Sequence, residues 1–531
     1  MRIPIFMVLV LLGALGAGAQ TNIALLGHLD YGSLRSSDLS NLWGYADEEG
    51  NEYALVGVNG SGGPDSGGLS VVDVTDPANP VEVFFAPAPP SIWREVKVWG
   101  DHAYVTTEAN FGLQIVDLSP LPQSTELPVT VFQGQGWSTA HSLFIDENGR
   151  LYIHGTNRGN GGVIMYDLTQ DPMAPVEVGV YDQVYCHDSY ARGDTLYAAH
   201  VYEGIFSIAD VSDPAAPVML GSAPSASFFT HNMWLDDSGD FLFTTDEVGN
   251  GYVAAYDISD PSDIRELDRI QSDPGNNVIP HNVYWLDHFL VTSYYTYGVV
   301  IYDATHPENL VEVGHFDTSP TTGHGFHGAW GVHPFLPSGN LLISDIEGGL
   351  FILAPTYVHA AWLQGLITDA LTGTPVNQAM VKLESTTATD STSFNGMYAL
   401  GTADAGSYTV TVTAVGYPTA TITGVILEQG EVTVLNVPLG NSSGMAEVAD
   451  GADGAGLALV PNPCQGAVTL TRSGPGSSRV QVLDSQGREV MPSFSMSSSA
   501  VMRVSDLVPG LYFVRTTDQV GTTVVQRLMV E

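Results

Sequence analysis

Short apolar runs separated by turn residues recur along the chain as far as residue 355. The clearest is Gly67–Asp73, in which glycine opens an apolar segment and aspartate closes it. The related runs end at Asp117, Asp167, Asp210, Asp257 and Asp303, and the repeated aspartates are 44, 50, 43, 47 and 46 residues apart. A repeat of about 40 to 50 residues made of short strands predicts a β-propeller, in which each repeat forms one four-stranded sheet.

The inner strands of these repeats predict the number of blades. In chain order they pass through Trp43, Trp93, His141, His187, His231, His281 and His327, which gives seven. The last repeat lacks an outer strand, and residues 23–30 share a Gly-His-x-Asp ending with 311–317. We therefore expect strand 23–30 to complete the last blade of a propeller over residues 21–355, because closure removes exposed sheet edges.

Two further β domains are expected after the propeller, so the whole chain is predicted to be all-β. Residues 361–440 alternate apolar and polar positions as half-buried strands do. Residues 441–456 are rich in Gly, Ala and acidic residues, which indicates a linker. Residues 457–531 return to the strand pattern and form the last domain.

Residues 361–440 resemble the carboxypeptidase regulatory-like, or transthyretin-like, domain. The matching positions are Gly365, Asp369, Thr372-Gly373-x-Pro375, Asn395-Gly396-x-Tyr398 and Gly406-x-Tyr408. The resemblance implies an accessory β-sandwich, and no peptidase motif accompanies it.

The last 75 residues resemble the type A C-terminal sorting domain of the type IX secretion system. The matching positions are Asn462-Pro463, Asp484-x-x-Gly487-Arg488 and Gly510-Leu511-Tyr512, in that order. The resemblance implies a β-sandwich that the type IX machinery recognises, with export through the periplasm and outer membrane to the cell surface or medium.

The propeller resembles the LVIVD-repeat, choice-of-anchor B family of secreted bacterial proteins. The positions that carry this resemblance are Trp43-Gly44-Tyr45, residues 52–57, residues 68–74, residues 93–97 and the His-Asn pairs at 231–232 and 281–282. The family name describes anchoring and repeats, so the resemblance implies no particular activity.

Charge and the N-terminus restrict the partners further. The net charge is -42, with 58 acidic against 16 basic residues, which argues against nucleic acid and anionic membranes as partners. Residues 1–20 have the basic start, short apolar run and small-residue ending of a secretory signal peptide. The apolar run is too short to span a bilayer, so we expect a secreted protein that is not transmembrane.

Histidine opens five successive repeats, and this register is the strongest chemical signal. His141, His187, His231, His281 and His327 are spaced by 46, 44, 50 and 46 residues. Because the first strand of each blade lines the propeller channel, equivalent positions form a ring in which imidazoles could hold a divalent transition metal. A polar channel for a small ligand and a purely structural ring remain the alternatives.

Weaker candidates for lining the channel or binding a ligand are Trp43, Trp93, Glu108, His200, Asp246 and Asp345. The two tryptophans stand where the other blades have histidine, and could stack a sugar or aromatic ligand. The acids and His200 lie near the ends of second strands, where solvated turn residues are the simpler interpretation.

These observations favour a binding or scaffold protein at the cell surface, with a carbohydrate, a peptide or a surface protein as partner. The alternative is a metal-dependent enzyme, an oxidase or hydrolase, that uses the histidine ring. The histidine register favours the enzyme, whereas the lack of a complete catalytic motif favours binding.

Overall fold

The computed structural model describes residues 20–440, 457–472, 476–484, 487–519 and 523–531, and nearly all of its regular structure is β-strand. The predicted signal peptide, apart from Gln20, and the predicted linker 441–456 lie outside these residues. The described residues divide into two compact units, residues 1–440 and 441–531.

Seven four-stranded antiparallel sheets occur between residues 23 and 355 of the described chain. The chain begins with β1 (Ile23–Leu29) and the short helix α1 (Tyr31–Arg35). The first three complete sheets are β2 (Leu39–Ala46), β3 (Glu52–Val58), β4 (Gly67–Asp73), β5 (Val81–Ala88); β6 (Val96–Trp99), β7 (His102–Val105), β8 (Leu113–Asp117), β9 (Val129–Phe132); and β10 (Ser142–Ile145), β11 (Arg150–His154), β12 (Val163–Asp167), β13 (Val176–Tyr181). The next three are β14 (Asp188–Arg192), β15 (Thr195–His200), β16 (Ile205–Asp210), β17 (Val218–Pro224); β18 (Thr230–Leu235), β19 (Phe241–Asp246), β20 (Val253–Asp257), β21 (Arg265–Ile270); and β22 (Val283–Leu286), β23 (Phe289–Ser293), β24 (Val299–Asp303), β25 (Val311–Phe316). The seventh contains β26 (Ala329–His333), β27 (Leu341–Asp345) and β28 (Gly349–Pro355), and β1 pairs antiparallel with β28 as its fourth strand.

The sheets form a closed ring. The first strands contact each other in order from β2 through β6, β10, β14 and β18 to β22, and β26 contacts β23 on one side and β2 on the other. In each antiparallel sheet, two loops lie at the same face of the ring. One precedes the first strand, and the other connects the second strand to the third. We call this face the entry face. The loops after each first strand lie at the opposite face.

The apolar core lies between neighbouring sheets. Along β3, Tyr53 and Leu55 pack with the second sheet, whereas Ala54 and Val56 pack with the seventh. Successive strand residues face opposite sides of a sheet, so a strand between two neighbours must be apolar on both faces. This explains the continuous apolar runs in the sequence.

A β-sandwich follows in the same compact unit. Its strands are β29 (Ala361–Asp369), β30 (Met380–Leu383), β31 (Thr389–Ser391), β32 (Met397–Thr402), β33 (Gly406–Thr413), β34 (Ala420–Leu427), β35 (Val432–Val434) and β36 (Val437–Leu439). β32, β29, β35 and β36 form one sheet, and β31, β30, β33 and β34 form the other. The buried Trp362 packs in the core of the last two propeller sheets and donates from Nε1 to the carbonyl of Asn309 at 3.1 Å.

The second unit is another two-sheet arrangement with its own core. Its strands are β37 (Leu457–Val460), β38 (Ala467–Arg472), β39 (Ser478–Leu483), β40 (Glu489–Met496), β41 (Ser499–Arg503), β42 (Gly510–Asp518) and β43 (Thr523–Val530). β37, β38 and β41 form one sheet, and β40, β39, β42 and β43 form the other.

Candidate metal centre

A β-bulge at the start of the first strand sets the position of the histidine side chains. In the fifth sheet Thr230 pairs with Asp246 and Asn232 with Thr245, which leaves His231 unpaired between them. A bulge of this kind bends the strand and redirects the side chain of the extra residue.

His141, His187 and His281 occupy the same position in their own sheets. The backbone N–H of His187 donates to the carbonyl of Ala199, the residue that Asp188 pairs with, so two residues again lie opposite one. His281 donates in the same way to Ser293.

The four imidazoles form a continuous arc at the entry face. Ring centroids are 4.1 Å apart for His141 and His187, 4.4 Å for His187 and His231, and 4.3 Å for His231 and His281. They line a cavity of about 40 Å³, whose other lining residues are Trp93, Arg94, Glu95, Ser142, Asp188, Glu247, Asn282 and Trp330.

Glu247 faces this arc and was not predicted from the sequence. Its carboxylate oxygens lie 3.7 Å from Nε2 of His231 and 3.7 Å from Nε2 of His281. The hydroxyl of Tyr295 donates to the same carboxylate at 2.5 Å. Potential ligand atoms of His187, His231 and Glu247 all lie within 4.8 Å of one another, and the described residues show this one such cluster.

Hydrogen bonds at Nδ1 hold three of the rings. His231 donates to the carbonyl of His281 at 3.0 Å, and His281 donates to the carbonyl of Trp330 at 2.7 Å. Nδ1 of His141 lies 2.6 Å from Oε1 of Glu108. A ring that donates from Nδ1 and is otherwise neutral presents the Nε2 lone pair to the cavity. Nδ1 of His187 is buried without a hydrogen-bond partner among the described residues.

Burial decides the charge state of the arc. It lowers the pKa of His281 to about 3 and the pKa values of His187 and His231 well below the usual range, with repulsion between the rings adding to the effect on the last two. Burial also raises the pKa of Glu247 to about 7, against an opposing effect of the Tyr295 hydrogen bond. His187, His231 and His281 are therefore neutral imidazoles, the form that ligates metals.

A polar layer closes the channel beneath the imidazoles. Asn232 donates to Asp188 at 2.6 Å, and Asn41 donates to Glu95 at 2.6 Å. Glu95 also forms an ion pair with Lys97, one of the two lysines of the chain. Burial, with the nearby Glu95 charge, raises the pKa of Asp188 to about 6. Glu95 and Asp188 thus form the floor of the cavity while they are held by partners within the layer, and the imidazoles and Glu247 form its walls.

The predicted ring needs correction at three positions. In the seventh sheet Ala329 pairs with Asp345 and Gly331 with Ser344, so the bulged residue is Trp330 and not His327. His327 lies three residues earlier, is exposed, and has Nδ1 2.6 Å from Glu347. Trp93 lines the cavity, with its ring 6.3 Å from that of His141. It lies one residue before the position equivalent to the histidines, which Arg94 occupies in the second sheet. Trp43 lies further along its strand, toward the opposite face, where its ring is 4.6 Å from His333.

The remaining predicted residues either orient a histidine of the arc or stabilise the fold. Glu108 orients His141 as described. His200 uses both ring nitrogens, with Tyr185 and Ser207 as partners at 2.8 Å each, and is buried. Asp246 accepts from backbone N–H groups of the loop 225–229, and Asp345 accepts from Thr318 and Gly348. His200 and these two aspartates hold loops and strands and do not line the cavity.

Comparison with protein families agrees with this architecture. Residues 52–85, 93–125 and 191–224 match the family model of the LVIVD repeat. The propeller therefore contains LVIVD repeats. Residues 363–440 match the carboxypeptidase regulatory-like domain, and residues 458–531 match the secretion system C-terminal sorting domain. No curated protein matches the LVIVD-repeat chain.

The sorting domain indicates export through the type IX secretion system and contact with its machinery. Among the described residues, no helix has the length and apolar character needed to cross a membrane.

Proposed function

We propose that this exported propeller binds one divalent transition metal ion at the entry face of its channel. The observation that carries the proposal is the convergence of His187, His231 and Glu247 on one small cavity, with His281 beside them. Neutral imidazole with carboxylate is a donor set suited to Zn²⁺, Fe²⁺, Ni²⁺ or Cu²⁺.

The distances support a shared ion. Two bonds of about 2.1 Å whose outer atoms are 3.7 Å apart meet at about 120°, close to the angles of a tetrahedral or trigonal centre. Two such bonds span at most about 4.2 Å, so ligand atoms that lie within 4.8 Å of one another need to approach by less than about 1 Å when an ion binds.

The orientation of the rings gives independent support. His231 and His281 each donate from Nδ1 to a backbone carbonyl, and His141 has Nδ1 against a carboxylate. Metal-binding histidines in proteins usually have such a partner on the second nitrogen, because it fixes the tautomer and the ring plane.

The cavity also suits metal-dependent chemistry. At about 40 Å³ it accommodates an ion with a small number of waters. A bound ion with an open position would act as a Lewis acid and lower the pKa of a bound water. Around it, Tyr295 holds the Glu247 carboxylate, and Trp93 and Trp330 line the cavity. This supports a metal-dependent hydrolase or oxidase.

A binding role at the cell surface is the second candidate, and exposed side chains at the entry face favour it. Tyr202, Phe228 and Phe326 are 76%, 69% and 55% exposed on loops of this face. Exposed aromatic side chains are frequent contact residues for partners, so a carbohydrate, peptide or surface protein would meet the propeller here.

The test is a Zn²⁺ titration of the mature full-length chain by isothermal calorimetry, with metal content measured on the protein as purified. We expect one ion per chain, and at least about 100-fold weaker binding in the His231→Ala/His281→Ala variant. His327→Ala is the matched control, because this histidine lies outside the cavity, and it should bind as the wild type does. Equal zinc binding by wild type and double variant, both folded by near-UV circular dichroism, would contradict the proposal.

A further inference from the structure

The opposite end of the channel contains a second, larger pocket of about 680 Å³. It is formed at the ends of the first strands and their following loops, and the polar layer of Asn41, Glu95, Asp188 and Asn232 separates it from the imidazole arc. Its lining includes the aromatic residues Trp43, Trp234 and Phe335, the charged residues Lys97, Asp146 and Arg192, and His333. The volume lies within the range of pockets that bind one small organic molecule.

Aromatic rings from several sheets form the wall. Phe335, on the loop after β26, has its centroid 6.0 Å from Trp43, 5.7 Å from Trp234 and 5.9 Å from Tyr284. Trp43, Trp234 and Phe335 remain partly exposed, unlike the tyrosine rings of the core between sheets. Aromatic rings attract other rings in offset or edge-to-face contact, so this wall favours a planar aromatic ligand over a saturated one.

The charged groups of the wall already have protein partners. Nζ of Lys97 lies 4.4 Å from the centre of the Trp43 ring and is paired with Glu95. Asp146 accepts from two backbone N–H groups and a tyrosine hydroxyl, and Arg192 donates to a backbone carbonyl. Glu147, the other charged residue of the wall, accepts from the backbone N–H of Gly193 at 2.8 Å. The wall thus carries two basic and two acidic side chains, each with a protein partner, so a neutral molecule fits better than an ion.

One polar group of the wall has no such partner. His333 is 3% exposed, lies against Trp43, and its Nδ1 has no hydrogen-bond partner in the described chain. Buried polar atoms in native proteins nearly always have a partner, so one that lacks it marks a place where a bound polar group would be stabilised. Nδ1 is itself buried at the edge of the pocket, and a small rotation of the ring would bring it to a hydroxyl on the ligand.

We propose that the pocket binds a neutral, planar aromatic small molecule that carries a hydroxyl group, with stacking on Trp43, Trp234 and Phe335 and a hydrogen bond to His333. This site is distinct from the metal centre, and its occupancy does not depend on the ion.

The experiment uses 2-naphthol as probe, titrated into the mature full-length chain with and without Zn²⁺. Naphthalene, which lacks the hydroxyl, and 2-decalol, which lacks the aromatic rings, are the comparison ligands. We expect saturable binding of one 2-naphthol per chain, and at least about tenfold weaker binding of each comparison ligand.

Two variants locate the site. Ala46→Trp adds bulk at a half-buried wall position and should abolish binding, whereas His333→Phe should bind 2-naphthol and naphthalene equally. His327→Ala, at the other face, should leave all three affinities unchanged. No saturable binding by the wild type, equal binding by Ala46→Trp, or equal affinity for 2-decalol would each overturn the inference.

Discussion

Removing the charge of Glu247 tests the metal centre with the smallest change in shape. Glu247→Gln keeps the size of the side chain and one carbonyl acceptor for Tyr295, but it removes the anionic ligand that lies 3.7 Å from two imidazoles. We expect the dissociation constant for Zn²⁺ to rise by about 100-fold, or about 2.7 kcal/mol.

The same change predicts a thermal shift. Zinc at 100 times the wild-type dissociation constant stabilises the wild type by about 2.7 kcal/mol, but a variant that binds 100-fold more weakly by only about 0.4 kcal/mol. The difference of about 2.3 kcal/mol corresponds to about 2 to 3 °C for a unit of this size, at about 2.1 cal/mol/K of unfolding entropy per residue. Glu203→Gln is the control, since Glu203 is an exposed acid on the equivalent loop of the fourth sheet.

Calorimetry gives the affinities, and thermal melts at fixed free zinc give the shifts. A Glu247→Gln variant that binds zinc within about threefold of the wild type would refute the reasoning, because the carboxylate would then not be a ligand. A similar loss in Glu203→Gln would point to diffuse surface charge instead of a built site.

Three further predictions concern the orientation of His141, the packing of Trp362 and the pH dependence of stability. Glu108→Leu should weaken zinc binding about tenfold, because Glu108 orients His141, whose ring packs 4.1 Å from that of the ligand His187. The metal-free melting temperature should stay unchanged, and a lower value would make Glu108 a folding residue. Trp362→Ala should lower the free energy of unfolding of the first unit by about 3 to 5 kcal/mol in urea, because a buried ring and its hydrogen bond to Asn309 are lost. A change below about 1 kcal/mol would contradict that packing. Burial raises the pKa of Asp268 to about 7, so the folded state disfavours its charge and the wild type should lose stability as pH rises from about 4 through 7. Asp268→Asn should remove that loss and melt higher than the wild type at pH 8, and a parallel pH dependence in melts of both proteins would count against it.

The all-β fold could be predicted from the sequence because its signal is periodic. Each repeat must bury both faces of its central strands between neighbours, and that requirement produces the apolar runs that end in aspartate. β3 shows the cause, since its successive residues alternate between the cores of two neighbouring interfaces.

The same periodicity predicted an arc of imidazoles, but it did not fully predict which residues belong to the arc. His141, His187, His231 and His281 share the bulged position, whereas His327 has the right spacing and the wrong register. Trp330 occupies the bulged position of β26, 49 residues after His281. The repeats vary in length by several residues, so the spacing of 46 at His327 does not reveal the mismatch.

Glu247 could not be found by spacing at all. It comes from the loop between β19 and β20, whereas the histidines come from first strands, and no other cavity acid repeats its position. Packing of the fifth sheet against the sixth brings that loop beside His281 and beside the loop after β23, where Tyr295 holds the carboxylate. The aromatic pocket is hidden for the same reason, because Phe335 contacts sheets distant in the sequence.

The most direct test of the metal centre is anomalous diffraction from crystals of the full-length chain soaked in Zn²⁺, recorded on both sides of the zinc absorption edge. The account predicts one strong anomalous peak in the entry-face cavity, about 2.0 to 2.2 Å from nitrogens of His187, His231 and His281 and from a carboxylate oxygen of Glu247. Zinc peaks confined to exposed carboxylates, with the cavity free of anomalous signal, would contradict it.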